Sequence, residues 1–354
     1  MKSQSTCDRF YAAACQVDFP PANDRTDIAP RVARMLEMID SAVTGYEPFF
    51  DVRLVVFPEF AHAAPVYATV SELLSKLALP IPNEHTDRYV AKARQYGIYI
   101  QTGTFLEADP LWPGHVFNTT CLIGPDGLLA KYRKVHTWLP WEISTSPHDL
   151  PNYDKPLFPV VETEIGRIGA AICYDWLFPE AIRQLAIAGA EILIRVSAYM
   201  DPWGTASPMD WWTLVNRTRA IENVAYVVAA NQGATLAHYP PFSWPGGSMI
   251  VDFDGRILAQ AEPGPGERIV VGPVDLAALR SARERRRGHA MLSHLRTEAY
   301  AAYAHPVFPA GRAAHSSISK ETNETATEQA SARLEILHDS LINKSAAKTA
   351  TVPG

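Results

Sequence analysis

Three reactive side chains follow predicted strands, at the point where each strand ends. Glu59 comes just after the apolar stretch 51–57, Lys134 ends the second strand of a predicted hairpin, and Cys173 ends the apolar stretch 167–173. Ligands collect at the carboxyl ends of strands in α/β sheets, so the three side chains can converge. A carboxylate can take a proton from a thiol, and an ammonium group stabilises both a thiolate and an oxyanion. These residues are therefore candidates for nucleophilic catalysis at a carbonyl carbon.

Cys173 lies at a predicted junction of strand, turn and helix. Small and β-branched residues precede it, and Pro179 opens an apolar-periodic helix over 180–188. Such an elbow holds a nucleophile off the sheet edge, where backbone N–H groups favour a thiolate and an oxyanion. The alternative is a buried, inert cysteine. Glu59 alone is equally compatible with an exposed acid after a turn, and Lys134 with one cation of a short basic run.

Composition excludes several classes of function. The 354 residues are 47% hydrophobic, enough for a sizeable core, and the net charge of −6 gives no reason to expect nucleic-acid binding. No apolar run reaches the ~18 residues of a transmembrane helix, and the polar first residues lack a signal-peptide pattern. The four cysteines have no C-x-x-C spacing, which argues against zinc and against a disulfide framework. We expect a cytoplasmic protein that does not bind membranes and needs no metal.

Two similar α/β halves make up most of the chain. Each half predicts helix, strand, helix, strand and then a hairpin, with turns at 124–127 and 253–255. Two such halves predict a layered sandwich, with the helices outside and the sheets facing each other. Between them, residues 135–159 form a long loop rich in Pro and Trp. A loop of that length inside a compact domain is usually functional, so we expect it to form a pocket wall.

Three motifs resemble the signatures of the nitrilase superfamily of carbon–nitrogen hydrolases. They are VVFPEF at 55–60, KYRKVH at 131–136 and ICYDWLFPE at 172–180, in the order that this family shows. RAIEN at 219–223 and VAANQ at 228–232 are similar to the family's helix and strand after the nucleophile, and the resemblance spans about residues 10–300. It implies an α/β fold, a four-layer αββα sandwich with a C-terminal arm, and a catalytic set of Glu59, Lys134 and Cys173.

The resemblance also suggests domain limits. We expect an N-terminal tail over residues 1–9, a carbon–nitrogen hydrolase domain over 10–275 and a C-terminal arm over 276–312. Residues 313–354 are polar and are expected to be flexible, or to order against another subunit. The family usually forms dimers or larger assemblies, so the resemblance implies a homo-oligomer.

A fourth catalytic residue comes from the stretch after Lys134. KVHTWLPWE at 134–142 resembles the aliphatic amidase and formamidase branch, in which a second glutamate lines the site, here Glu142. The alternative for Glu142 is an exposed loop acid. The residues after Cys173 depart from that branch and are closer to carbamoylases and broader amidases.

The expected activity is hydrolysis of a carboxylic amide to an acid and ammonia or an amine. The resemblance implies a thioester on Cys173, Glu59 as base, an oxyanion held by Lys134 and the Tyr174 backbone N–H, and no cofactor. The alternatives are an N-carbamoyl amide hydrolase, an acyltransferase or a nitrilase with the same catalytic residues. Large aromatic residues near the motifs are candidate substrate-binding walls: Phe60, Trp138, Trp141, Tyr174, Trp176 and Tyr199.

Overall fold

The secondary structure is taken from a computed structural model that describes residues 7–200, 210–240, 243–309, 311 and 318–349. This part of the chain contains twelve strands: β1 Arg9–Gln16, β2 Val52–Val56, β3 Tyr99–Ala108, β4 Val116–Gly124, β5 Gly127–Arg133, β6 Val160–Thr163, β7 Gly166–Ile172, β8 Ile192–Ser197, β9 Tyr226–Asn231, β10 Met249–Val251, β11 Ile257–Gln260 and β12 Arg268–Asp275. The same residues contain seven α-helices: α1 Ile28–Thr44, α2 Val70–Lys76, α3 Glu84–Tyr96, α4 Pro179–Ile187, α5 Trp211–Asn223, α6 Leu276–Arg285 and α7 Lys320–Thr349.

The strands form two six-stranded sheets of matching construction. The first has the order β12-β1-β2-β3-β4-β5, with β1, β2 and β3 parallel and the β4–β5 hairpin antiparallel. The second has the order β11-β10-β9-β8-β7-β6, with β7, β8 and β9 parallel and β10 and β11 antiparallel. Both predicted hairpins are confirmed. The repeated order also explains why the two halves of the sequence show the same succession of elements.

Apolar patterning determines how these elements are layered. In α1, Ile28, Val32, Met35 and Ile39 recur at helical spacing and are buried on one face. The inner faces of the two sheets form one shared core, in which β1 packs against β9. Helices α1 and α3 cover the outer face of the first sheet, and α4 and α5 cover that of the second. The predicted four-layer αββα sandwich is confirmed.

The ends of four strands converge at one edge of this sandwich. Glu59 lies just beyond β2, Lys134 follows β5, Cys173 follows β7 and Ala198 follows β8. Because the two sheets face each other, residues at this edge come from both halves of the chain. The fold therefore brings together residues that are far apart in the sequence.

The tail expected over residues 313–354 lies partly outside the described residues, and its described part, 318–349, contains helix α7. Helix α7 begins after Ser319, whose Oγ accepts a hydrogen bond of 3.2 Å from the backbone N–H of Thr322, a typical helix cap. Asn323 is 1% exposed and donates through Nδ2 to the backbone oxygens of Leu139 (3.0 Å) and Glu142 (2.8 Å). These contacts order the first turns of α7 against the loop between the two sheets. Of the helices formed by the described residues, none has the length and apolar character needed to cross a bilayer.

Candidate active site

The Glu59 carboxylate is held from both sheets. It is 1% exposed, and its Oε1 accepts a hydrogen bond of 2.8 Å from Nδ2 of Asn118 on β4. Its Oε2 accepts one of 3.0 Å from the backbone N–H of Ala198, just past β8. The chain then turns at Phe60, whose φ is +59° and whose N–H donates to Oγ1 of Thr104. Glu59 therefore has a fixed orientation at the meeting point of the two halves.

Lys134 lies between two carboxylates. Its side chain is fully buried, its Nζ is 2.8 Å from Oε1 of Glu59, and it also donates to Oε1 of Glu142. Burial would lower the pKa of Lys134, but the charges of Glu142 and Glu59 raise it well above its usual value. The ammonium group therefore stays charged.

Glu142 is a buried loop residue. It is 3% exposed, and its backbone N–H donates a hydrogen bond of 2.9 Å to the carbonyl oxygen of Trp138. Burial raises the pKa of Glu142 to about 7, against the opposing charge of Lys134. Its Oε2 is buried and has no hydrogen-bond partner among the described residues. Burial therefore favours the neutral form of Glu142, while the neighbouring Lys134 favours the carboxylate.

Cys173 occupies the predicted elbow. Strand β7 ends at Ile172, and a short 3₁₀ turn over Cys173–Leu177 precedes α4, where a direct turn into the helix was expected. The φ angle of Cys173 is +44°, a strained value for a residue with a side chain. Burial and the charge of Glu59 raise the pKa of Cys173 to about 12, while Lys134 lowers it. The resting thiol is therefore protonated and needs a base.

Asp175 connects the elbow to β5, the strand that Lys134 follows. Its carboxylate accepts hydrogen bonds from the backbone N–H of Ile172 (3.1 Å), the hydroxyl of Tyr132 (2.7 Å) and the backbone N–H of His136 (2.8 Å). These contacts fix the positions of Cys173 and Lys134 relative to each other. Asp175 belongs to the motif at 172–180, but its type and position there predict none of these contacts.

Arg195 is a second residue that the sequence analysis did not single out. It lies in β8, is fully buried, and donates from Nη1 to Oδ1 of Asn216 at 2.9 Å. Its guanidinium carbon is 4.3 Å from the ring centre of Trp212. Its charge also lowers the pKa of the Cys173 thiol, against the larger effect of burial. The sequence feature that could have identified Arg195 is its position inside an otherwise apolar strand.

A cavity of about 410 Å³ opens onto the catalytic residues. Glu59, Glu142 and Cys173 line it together with aromatic and apolar residues. Five of the six predicted walls, all except Trp176, are among them. In the part of the chain that the structure describes, the aromatic and apolar lining residues are Phe60, Trp138, Pro140, Trp141, Tyr174, Leu177, Ala198, Tyr199, Met200 and Trp211.

Trp176, which the sequence analysis proposed as a pocket wall, does not line this cavity. Its side chain is 0% exposed and belongs to the core between the sheets. Its Nε1 donates a hydrogen bond of 3.2 Å to the carbonyl oxygen of Ala171. The 3₁₀ turn directs Trp176 inward while Tyr174 and Leu177 face the cavity, so we no longer count Trp176 among the walls.

The chemistry available at the site is that of a thiol, two acids and an ammonium group. Within the described ranges, no group of three or more His, Cys, Asp or Glu side chains is placed to hold a metal ion. The ammonium group lies beside the acids, and its charge acts on the thiol. This arrangement suits attack on a carbonyl carbon, stabilisation of the oxyanion and protonation of a leaving nitrogen.

Comparisons with known proteins identify the family of this chain. The family model for carbon–nitrogen hydrolases matches residues 11–284. A mouse deaminated glutathione amidase is 34% identical over 237 residues, which is 65% of this chain and 70% of the relative. A formamidase from Bacillus cereus (strain Q1) is 30% identical over 263 residues, covering 73% of this chain and 72% of the relative.

Solved structures show the same fold. Saccharomyces cerevisiae Nit3, a member of branch 10 of the nitrilase superfamily, aligns with a TM-score of 0.65 and 26% identity over 80% of this chain and 97% of its own. An amidase from Nesterenkonia sp. aligns with a TM-score of 0.58 and 19% identity, over 83% and 96% respectively. The chain belongs to the carbon–nitrogen hydrolase family, within the nitrilase superfamily, and its relatives are of the amidase type.

Proposed function

We propose that this protein is an amidase that cleaves a carboxylic amide through a thioester on Cys173. The observation that supports this most strongly is the placement of Glu59, Glu142 and Cys173 on one cavity, with the Lys134 ammonium group between the two carboxylates. The names of the relatives, formamidase and deaminated glutathione amidase, also support amide chemistry.

The first half-reaction forms the thioester. Glu59 takes the thiol proton as Sγ of Cys173 attacks the amide carbon, and the carbonyl π-electron pair moves to oxygen. Lys134 and the Tyr174 backbone N–H stabilise that oxyanion. The oxyanion then collapses, the C–N bond breaks, and the nitrogen takes the proton from Glu59 or Glu142 and leaves as ammonia or an amine. The high pKa of the resting thiol makes Glu59 necessary.

The second half-reaction releases the acid. Glu59, again a base, takes a proton from water as the water oxygen attacks the thioester carbon. The tetrahedral oxyanion collapses, the C–S bond breaks, and the departing sulfur recovers its proton. The unpartnered Oε2 of Glu142 is positioned to accept an amide N–H, which would orient the substrate. The homo-oligomer and the cytoplasmic location are predictions from the sequence.

Ammonia release from a panel of amides, N-carbamoyl compounds and nitriles tests this proposal. On the best substrate, Cys173→Ala should reduce kcat/KM by on the order of 10³-fold or more. The matched control Cys7→Ala, which removes a half-buried thiol outside the cavity, should leave it unchanged. Full activity of Cys173→Ala would contradict the proposal. Carbon dioxide released with the ammonia would indicate an N-carbamoyl amide hydrolase instead.

A further inference from the structure

The cavity beside Cys173 is much larger than a small acyl group requires. Its volume of about 410 Å³ lies within the roughly 300–1,000 Å³ of pockets that hold drug-sized ligands. A one- or two-carbon acyl group would leave most of this space to water. The catalytic residues therefore face a space that fits a substrate of several carbon atoms.

The wall of this cavity is aromatic and held in place from behind. Phe60, 5% exposed, meets Trp141 edge to face, with ring centres 5.4 Å apart and planes at 84°. Trp141 in turn contacts Trp244, which is 1% exposed, at 6.0 Å. Rings fixed in this way present a preformed apolar surface, which binds apolar groups with little loss of conformational freedom.

Among the described residues, the lining of the cavity offers no cation that could pair with a carboxylate on the acyl group of the substrate. The lining residues within the described ranges include no Lys, Arg or His, and the only ionisable acids among them are Glu59 and Glu142. Residues 201–209, which connect two lining positions, contain no basic residue in their sequence either. Arg195 contacts the ring of the lining residue Tyr199, but it is fully buried, lies against Trp212 and donates a hydrogen bond to Asn216. A carboxylate in the cavity would lose water without gaining an ion pair.

The two acids also determine which part of the substrate occupies the apolar space. The leaving nitrogen has to receive a proton, so it must lie beside Glu59 or Glu142. Both carboxylates are almost fully buried, at 1% and 3% exposure. Because both acids are this deeply buried, we place the leaving nitrogen at the closed end of the cavity and the acyl group in the rest of the space, which aromatic residues line.

We propose that the preferred substrate is an uncharged primary amide with a large apolar acyl group, selected by the wall that Phe60, Trp138, Trp141 and Tyr199 form. This inference rests on the amidase function proposed above. It predicts that the enzyme distinguishes primary amides by the size and the charge of the acyl group.

Matched amides separate these effects. We expect kcat/KM for hexanamide and 3-phenylpropanamide to exceed that for acetamide by at least about 30-fold, since each added methylene in an apolar pocket contributes up to tens-fold. Two charged analogues of hexanamide, the monoamide of adipic acid and 6-aminohexanamide, test the charge. Both should fall at least about 30-fold below hexanamide. Acetanilide, with its ring on the nitrogen, should be poorer than 3-phenylpropanamide.

Two variants test the wall itself through ratios, which do not depend on how much enzyme is folded. Trp138→Ala should lower the preference for 3-phenylpropanamide over acetamide by about 10-fold or more. Trp112→Ala, a half-buried tryptophan outside the cavity, should leave that ratio unchanged. Met200→Arg should raise kcat/KM for the adipic monoamide relative to hexanamide, because it supplies the missing cation.

Several outcomes would overturn the inference while leaving the amidase function intact. They are a preference for formamide or acetamide over hexanamide, a preference for either charged analogue over hexanamide, or a preference for acetanilide over 3-phenylpropanamide. An unchanged ratio in Trp138→Ala would overturn the role of the wall. Absence of ammonia release from every amide tested would overturn the inference and the proposed function together.

Discussion

Nζ of Lys134 donates a hydrogen bond of 2.8 Å to Oε1 of Glu59, and both side chains have lost almost all contact with water. Glu142 takes the other side of the same ammonium group. Charges buried to this extent are tolerated only when each has a partner. The network therefore holds the base and the cation in place before substrate binds. Removing any one of the three side chains should disturb the positions of the other two.

Replacing the buried cation tests this network. Lys134→Met leaves two buried carboxylates without their counter-ion, so we expect the free energy of unfolding at pH 8 to fall by about 3–5 kcal/mol. Loss of the oxyanion partner should also reduce kcat by on the order of 10²–10³-fold. Urea denaturation and ammonia release measure the two effects. The control Lys155→Met removes an exposed lysine (59% side-chain exposure) and should change stability by less than about 1 kcal/mol. Equal effects of the two substitutions would contradict the network.

The raised pKa of Glu142 predicts a pH dependence of stability. Folding favours its neutral form, because burial raises the pKa from 4.5 to about 7. The folded protein therefore binds more protons than the unfolded chain between these values, and this contribution is lost as the pH rises through 7. Between pH 4.5 and 7.5, wild type should lose up to about 3 kcal/mol of unfolding free energy relative to Glu142→Gln. Parallel urea midpoints for the two proteins across this range would argue against a buried, titrating Glu142.

The contacts of Asn323 predict that helix α7 contributes to activity. Its amide group holds two carbonyl oxygens of the loop that includes Glu142. Asn323→Ala leaves those carbonyls without a donor, so we expect a loss of about 1–3 kcal/mol in stability. Because Glu142 is then less well positioned, kcat should fall by about 10-fold. Thr325→Ala, at an exposed position on the same helix, is the control for helix propensity. An unchanged kcat in Asn323→Ala would show that the contact of helix α7 with this loop does not affect catalysis.

Much of the fold and of the proposed site could be predicted from local patterns. Glu59, Lys134 and Cys173 each follow an apolar strand, and the carboxyl ends of strands in α/β folds meet at one edge. The repeated pattern of the two halves predicts two sheets with the same order of strands. In such sheets these three strand ends lie at the same edge. Both hairpins were also recognisable, since their turn residues are local signals.

The remaining features depend on contacts that no local pattern records. Trp176 was predicted as a wall because it follows the nucleophile, but the direction of its side chain is set by a 3₁₀ turn. The docking of α7 depends on Asn323 reaching a loop far earlier in the chain. The polar sequence around Asn323 shows no periodic apolar face that would indicate packing. In both cases tertiary structure, not propensity, decides the outcome.

The central claim, a thioester on Cys173, is tested most directly with phenyl hexanoate. Phenoxide leaves more readily than ammonia, so release of the acid should become the slow step and the acyl-enzyme should accumulate. We expect a burst of about one phenol per active site, as covalent catalysis with slow deacylation requires. Peptide mass spectrometry after acid quench should place a hexanoyl group on Cys173. Hydrolysis without a burst, or a hexanoyl group on any other residue, would contradict the account.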